Sequence, residues 1–297
     1  MRTIIIITTL GCAAAAGLVV AATHSDPARS RNVPVVASTN VYGDIARQIG
    51  KPSVSVTSIL TDPNADPHLF EPGTRNALAV SGARLLIENG VGYDAFMARL
   101  ESASPSSDRV VVSIADALHV SGKDANPHLW YAVLRLGTIA DAIANGLERV
   151  DPARADQYRA GARRFIASLA PLRREVAAIR RARHGVAVAY TEPVPGYLVT
   201  AAGLRNLAPA AFTRAIEDGT EPSPSAVSAM TQLVTQHRVR VLLYNNQAIS
   251  PITARIRSAA RRAGIPVVGV SETLPPHLTF QQWQLRQARA LAAALAL

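Results

Sequence analysis

The sequence reads as an α/β protein of two lobes, each a mainly parallel sheet flanked by helices, joined by one long helix. Three observations predict this. Apolar residues make up 48% of the 297 and charged residues 18%, enough to bury a sizeable core and too apolar for a disordered chain. Short β-branched runs alternate with stretches of helical spacing in both halves, the β-α-β order of a parallel sheet covered by helices. Between the halves lies one helical pattern far longer than the usual three turns.

The elements follow in order. Residues 1–22 read as an export signal or N-terminal anchor: Arg2 gives a positive start, residues 4–7 and 10–20 an apolar stretch, and Val20-Ala21-Ala22 small residues for cleavage. Thr9-Leu10-Gly11-Cys12 is similar to a lipoprotein cleavage box, with Thr9 where an aliphatic residue is expected, so simple cleavage ranks above lipidation. Residues 23–32 are polar and read as a tether. The N-terminal lobe spans 33–148, with strands at 33–38, 54–60, 85–88 and 110–114 and helices at 42–49 and 94–100. The connector spans 149–184. Asp151-Pro152 is a helix start and Gly185 a left-handed stop. About 33 residues at 1.5 Å each give roughly 50 Å of helix, read as one connector kinked at Pro171, the alternative being two helices broken there. The C-terminal lobe spans 185–297, with strands at 186–190, 239–244 and 267–270, helices starting at 196, 225 and 253, and a closing Ala/Leu-rich helix from 281.

Charge and cysteine content narrow the function classes. The net charge is +10, but Arg154, Arg159, Arg163, Arg164, Arg173, Arg174, Arg180, Arg181 and Arg183 recur at helical spacing without interleaved aromatics. That pattern reads as a solvated helix face, not a nucleic-acid surface. Aromatics at 5% argue against base stacking. The single cysteine, Cys12, lies in the leader, so the body has neither disulfide nor thiolate ligand, which suits an exported protein. No later stretch is apolar and long enough to span a bilayer, so the body is expected to be soluble. No Ser-His-Asp or Cys-His arrangement and no glycine-rich phosphate loop is evident.

Open α/β sheets bind ligands beyond the carboxyl ends of their strands, and four such positions carry metal-ligand side chains. They are His68 in Asp66-Pro67-His68-Leu69-Phe70-Glu71-Pro72, His128 in Asn126-Pro127-His128-Leu129-Trp130, Glu192 in Thr191-Glu192-Pro193, and Glu272 in Ser271-Glu272-Thr273-Leu274-Pro275. Singly, each is a turn histidine or a loop glutamate. Together they form an N2O2 donor set whose summed charge of about −2 neutralises a divalent cation, and an ion removes the cost of burying the carboxylates. The flanking prolines stiffen the loops and fix the aim of the imidazoles. Trp130 is expected to pack beside His128, Tyr197 to lie in the core or else to make a supporting hydrogen bond behind the site, Trp283 to anchor the last helix, His277 to lie on a surface loop or else to approach the site, and His119, His184, His237 and His24 to lie on the surface, at helix ends or in the tether.

At these motifs the sequence resembles the cluster A-I substrate-binding proteins, the zinc/manganese/iron family of metal-binding lipoproteins and periplasmic proteins. Residues 66–72 are similar to the family's first histidine motif and 126–130 to its second. Val150-Asp151-Pro152, Tyr158 and the long helix resemble its connector. Glu192 in Glu192-Pro193-Val194-Pro195-Gly196-Tyr197 stands where the family supplies its third ligand, and Glu272, at the end of 264–272, where it supplies a fourth, usually aspartate. The resemblance runs from Val33 to the C-terminus. It implies two lobes joined by a rigid helix and one ion between them, with His68 and His128 from the first lobe and Glu192 and Glu272 from the second. It further implies a monomeric, non-enzymatic protein in the periplasm or on the outer face of the cytoplasmic membrane, associated with the membrane through its leader or its permease. That protein would capture Mn²⁺ or Zn²⁺, with Fe²⁺ a further candidate, and hand it to the permease of an ABC transporter. If both carboxylates chelate through two oxygens the set supplies up to six donors, which suits Mn²⁺ or Fe²⁺, while Zn²⁺ binds such sites tightly by the Irving–Williams order. The chain departs from the family at Tyr131-Ala132-Val133, where Leu-Asp-Pro is common, in the longer Glu272, and in lacking a histidine-rich loop. Two other uses of the same four residues are a metallohydrolase with a metal-bound water and an adhesin in which the metal is structural.

Overall fold

A computed structural model describes residues 32–64 and 66–296. The expected leader at 1–22 and nearly all of the expected tether at 23–32 lie outside the described residues. The first sheet is built from β1 (Val33–Thr39), β2 (Val54–Leu60), β3 (Leu85–Glu88) and β4 (Val110–Ser113), all parallel, in the order β2-β1-β3-β4. The second is built from β5 (Ala187–Tyr190), β6 (Arg205–Asn206), β7 (Leu242–Asn245) and β8 (Val267–Val270), again all parallel, in the order β6-β5-β7-β8. Both lobes therefore share one winding: the second strand pairs on one side of the first and the third on the other. Such a reversal opens a crevice at the carboxyl ends of the strands. The inner strands β1 and β7 are almost wholly buried, while the edge strand β2 alternates exposed and covered residues, as expected where helices cover both faces of a parallel sheet.

The helices of the first lobe are α1 (Asn40–Gly50), α2 (Thr74–Ser81), α3 (Phe96–Ala103), the single turn α4 (Ile114–Ala117) and α5 (Leu136–Val150). Thr39 ends β1 and caps α1 by accepting the Tyr42 N–H. The connector runs as α6 (Ala155–Ser168) and α7 (Ala170–Arg183), separated by the single residue Leu169. The interruption falls two residues before Pro171, whose missing N–H and bulky ring cannot continue the hydrogen-bond ladder. Asp151 does not cap this helix through its side chain; its carboxylate takes the Tyr158 hydroxyl and the Arg154 guanidinium instead, and a 3-10 turn at Pro152–Arg154 leads into α6. The first half of the connector packs on α1 and α5. Gly161 is needed there, because a Cβ would meet the Ile49 carbonyl oxygen at 2.1 Å. The second half packs on α8 (Gly196–Ala201) and, after α9 (Ala210–Glu217), α10 (Pro224–Thr235) and α11 (Pro251–Arg262), on the closing helix α12 (Phe280–Ala294).

One hydrophobic core runs through both lobes, from Val35, Ile45 and Leu86 to Leu172, Leu243, Trp283 and Leu291, and a smaller one lies on the far face of the second sheet around Phe212, Met230 and Ile256. Polar contacts also join the lobes. Asn40 exchanges two hydrogen bonds with the Leu274 backbone at 2.8 and 2.9 Å, and Asp44 accepts the Phe280 N–H at 2.9 Å. Tyr131 reaches the Ser271 carbonyl at 2.7 Å and Gln287 at 2.8 Å. Among the described residues no helix is long and apolar enough to cross a membrane.

Candidate metal centre

The two carboxylates are set by strand register. Glu192 and Glu272 each stand two residues beyond the end of a strand, β5 and β8 respectively, and β7 lies between those strands. Pairing Tyr190 with Leu243 and Asn245 with Val270 puts the two glutamates on either side of Asn245, the last residue of β7. The Asn245 backbone N–H donates to Thr191 Oγ1 at 3.1 Å, and its side-chain amide donates to Glu192 Oε2 at 2.6 Å and to Glu272 Oε1 at 2.8 Å. Asn245 Oδ1 accepts the Gln247 N–H at 3.0 Å. Gln247 in turn accepts the backbone N–H groups of Glu272 and Thr273 at 2.6 and 3.2 Å. All three acidic-site residues, Glu192, Asn245 and Glu272, are at most 1% exposed.

The imidazole arrives by a different route. Ile114 begins α4 instead of extending β4, and a loop then leads from α4 to His128. Two asparagines hold that loop. Asn89, just past β3, donates to the Pro127 carbonyl at 2.8 Å and is itself fixed by the Tyr42 hydroxyl at 2.5 Å. Asp94 clamps the turn beneath it by accepting the Asn89 and Gly90 N–H groups at 2.5 and 2.9 Å. Burial pushes the Asp94 carboxyl up from its ordinary value, against the pull of those hydrogen bonds and of Ser38. Asn126 Oδ1 accepts the His128 backbone N–H at 3.0 Å and lies 2.8 Å from ring Nδ1. Because Asn126 Oδ1 is an acceptor, Nδ1 carries the proton and Nε2 presents a lone pair in the neutral ring, the state in which histidine binds metals. The other end of the Asn126 amide crosses the lobes to the Pro193 carbonyl at 2.8 Å, beside Glu192. Gly196 makes room for it, since a Cβ there would lie 2.7 Å from the Asn126 amide nitrogen.

His128 Nε2 lies 3.3 Å from Glu272 Oε2, with both side chains fully buried. One ligand atom from each of His128, Glu192 and Glu272 lies within 4.8 Å of the others. Tyr93 donates to Glu272 Oε2 at 3.1 Å; burial and then the Glu272 charge push its pKa far up, so the phenol remains a donor. Edge-on contacts of Tyr93 and Trp130 with the His128 ring, at 5.8 and 5.5 Å between centroids, box the imidazole in apolar surface. Two carboxyl groups and an imidazole, closed off from water, form a donor set of oxygen and nitrogen that a divalent cation fits by chemistry.

Three of the four residues expected from the sequence are thus brought together. The backbone of the fourth, His68, forms a 3-10 turn at Pro67–Leu69; its side chain lies outside the described residues. Trp130 packs beside His128 as expected, and Trp283 is buried in α12. Tyr197 is only half-buried and works on the site's loop, its hydroxyl donating to the Asn126 carbonyl at 2.9 Å. His277 is exposed, in a turn with φ of 63°. Sequence reasoning missed Tyr93, Asn89, Asn126 and Asn245. Asn89 and Asn245 do sit at strand ends, so the same positional rule would have found them had it admitted amides as well as metal ligands.

Residues 35–294 match the family described as zinc-uptake complex component A, periplasmic. The manganese-binding lipoprotein MntA of Halalkalibacterium halodurans is 31% identical over 140 residues, 46% of each chain, so the match spans about half the length of that relative. The fold is shared with the solute-binding protein FpvC of Pseudomonas aeruginosa solved with Mn²⁺, at a TM-score of 0.75 and 20% identity over 90% of this chain and 99% of that one. It is also shared with the periplasmic zinc-binding protein TroA of Treponema pallidum, at 0.71 and 18% over 89% and 99%.

Proposed function

Because the chain belongs to the family of zinc-uptake complex component A, periplasmic, we propose that it is the extracytoplasmic solute-binding protein of an ABC importer. It captures one divalent transition metal ion, Zn²⁺ or Mn²⁺, between a lobe at 33–148 and a lobe at 185–297, and delivers it to a membrane permease. His128 from the first lobe and Glu192 and Glu272 from the second are its ligands, with His68 as the fourth. The observation that carries this reading is the convergence of three buried ligand atoms from both lobes within 4.8 Å. A cation in that position draws the lobes together through bonds to each, so loading stabilises the joined form. The protein works as an exported monomer in the periplasm or at the outer face of the membrane. The ion is cargo, and no catalytic step is assigned. Relatives named for manganese and zinc binding support a transport role over a hydrolase or an adhesin.

Thermal melting with and without saturating Zn²⁺ or Mn²⁺ tests the proposal. Metal is expected to raise Tm in the wild type and to leave His128→Ala unmoved. A wild-type Tm indifferent to both ions, with no heat of binding by calorimetry, would remove the transport reading.

A further inference from the structure

Asn245 touches both acidic ligands at once. One amide hydrogen goes to Glu192 Oε2 at 2.6 Å and the other to Glu272 Oε1 at 2.8 Å. The amide cannot turn over cheaply: a flip would set its oxygen against two carboxylates and its nitrogen against the Gln247 N–H that now donates to Oδ1 at 3.0 Å. Its backbone is fixed as well, by the pairing of β7 with both neighbours and by the bond to Thr191. The group is neutral, so it orients two negative side chains without cancelling the charge that a cation needs.

This arrangement bears on which cation is taken. A glutamate that chelates through both oxygens must turn its carboxylate plane squarely toward the ion. Here each plane is pinned by an amide on one oxygen, and Glu272 is pinned a second time by Tyr93 on the other at 3.1 Å. Chelation through two oxygens makes the oxygen that the amide holds serve the ion as well, in a buried site where its hydrogen bond is strong. Ligation through one oxygen leaves the other on the Asn245 amide; on Glu272 the ligating oxygen is then Oε2, which lies 3.3 Å from His128 Nε2 and shares its lone pairs with Tyr93. Zn²⁺ accepts four donors in a tetrahedron, whereas Mn²⁺ gains from a larger, oxygen-rich shell.

We propose that Asn245 is a specificity-determining residue, which holds Glu192 and Glu272 as one-oxygen ligands and so favours a four-coordinate ion such as Zn²⁺ over Mn²⁺. The proposal rests on the reading that these glutamates bind a divalent cation. It runs against the alternative drawn from the donor count, in which both glutamates chelate through two oxygens and suit Mn²⁺ or Fe²⁺.

The test compares Zn²⁺ and Mn²⁺ affinities, by chelator competition, in the wild type, Asn245→Ala and the near-isosteric Asn245→Leu, with near-ultraviolet circular dichroism as the check on folding. Freed carboxylates should narrow the preference for Zn²⁺ over Mn²⁺ by about tenfold or more in either folded variant. An equal loss for both ions, leaving the ratio unchanged, would make Asn245 a general support and overturn the proposal. A wild type that binds neither ion would fail the transport reading itself, a different outcome. A crystal structure of the wild type with Mn²⁺ decides the matter independently of how the variants fold. One-oxygen ligation by both glutamates with Asn245 in place supports the proposal; a glutamate bound through both oxygens while Asn245 still bonds to both residues contradicts it.

Discussion

The two walls of the candidate centre are built on different principles. In the second lobe both carboxylates stand two residues past a strand, on either side of an inner strand whose last residue binds them both. In the first lobe the imidazole sits far from its strand, on a loop held by side-chain amides from Asn89 and Asn126. One wall is positioned by backbone register, the other by a side-chain network. Register sets where the two glutamates leave the sheet, and side chains such as Asn245 then orient their carboxylates, whereas in the first lobe the path of the backbone that carries His128 is itself held by a few side-chain hydrogen bonds.

Graded substitutions can break or sharpen that contrast. The largest effects belong to the proposed ligands: His128→Ala and Glu272→Gln should each weaken Zn²⁺ binding by more than about a hundredfold in chelator competition, beyond the 10- to 100-fold typical of outer supporting groups. Equal binding in either variant would place the ion elsewhere. Removing the ion should be nearly as visible. At free Zn²⁺ about a thousand times Kd, linkage stabilises the protein by roughly 4 kcal/mol, a Tm rise on the order of 10 °C that a chelator should reverse. Asn126→Ala comes next. It deletes both the acceptor that selects the His128 tautomer and the bond to the Pro193 carbonyl, so affinity should fall by about 10- to 100-fold, and the His128 ring nitrogens should show mixed tautomers by ¹⁵N NMR in the metal-free protein. A single tautomer in that variant would show that the loop is held without Asn126. Tyr93→Phe keeps the ring against His128 and loses one bond to Glu272, so it should cost less than about tenfold.

A last effect lies outside the proposed ligand set and concerns stability against pH, not affinity. Glu88, at the end of β3, is pushed up from 4.5 to about 7 by burial and by the nearby Asp94, Glu101 and Asp116. The folded state thus holds this proton more tightly than the unfolded chain, and the stability it contributes below pH 4.5 is lost as pH rises through about 7. Glu88→Gln should therefore raise Tm over the wild type at pH 8 and leave it little changed at pH 4. A larger gain at the acid end would refute that assignment.

The same contrast explains what could be read from the sequence. Strand-end glutamates were legible because β-branched runs mark strands and topology dictates what lies beyond them. His128 was legible through its Pro-His motif, although its path through α4 was not. Asn126 lay inside a quoted motif, but its reach to Pro193 depends on how the lobes meet, which no local pattern encodes. Three further helices, α2, α5 and α9, also escaped notice. α2 leaves Leu78 73% exposed and so shows little apolar periodicity, while α5 and α9 follow Arg135 and Pro209, neither of which supplies a side-chain cap to announce a helix. The break at Leu169 followed from Pro171, because a proline acts through its own covalent geometry.

Anomalous diffraction at the zinc edge, from crystals of the full chain grown with Zn²⁺, tests the central claim most directly. The account predicts one strong peak bonded to His128 Nε2 and to one oxygen each of Glu192 and Glu272, at about 2.0–2.2 Å. A peak bonded to residues of one lobe alone, or an ion bound only at the surface while these three side chains keep their present contacts, would contradict it.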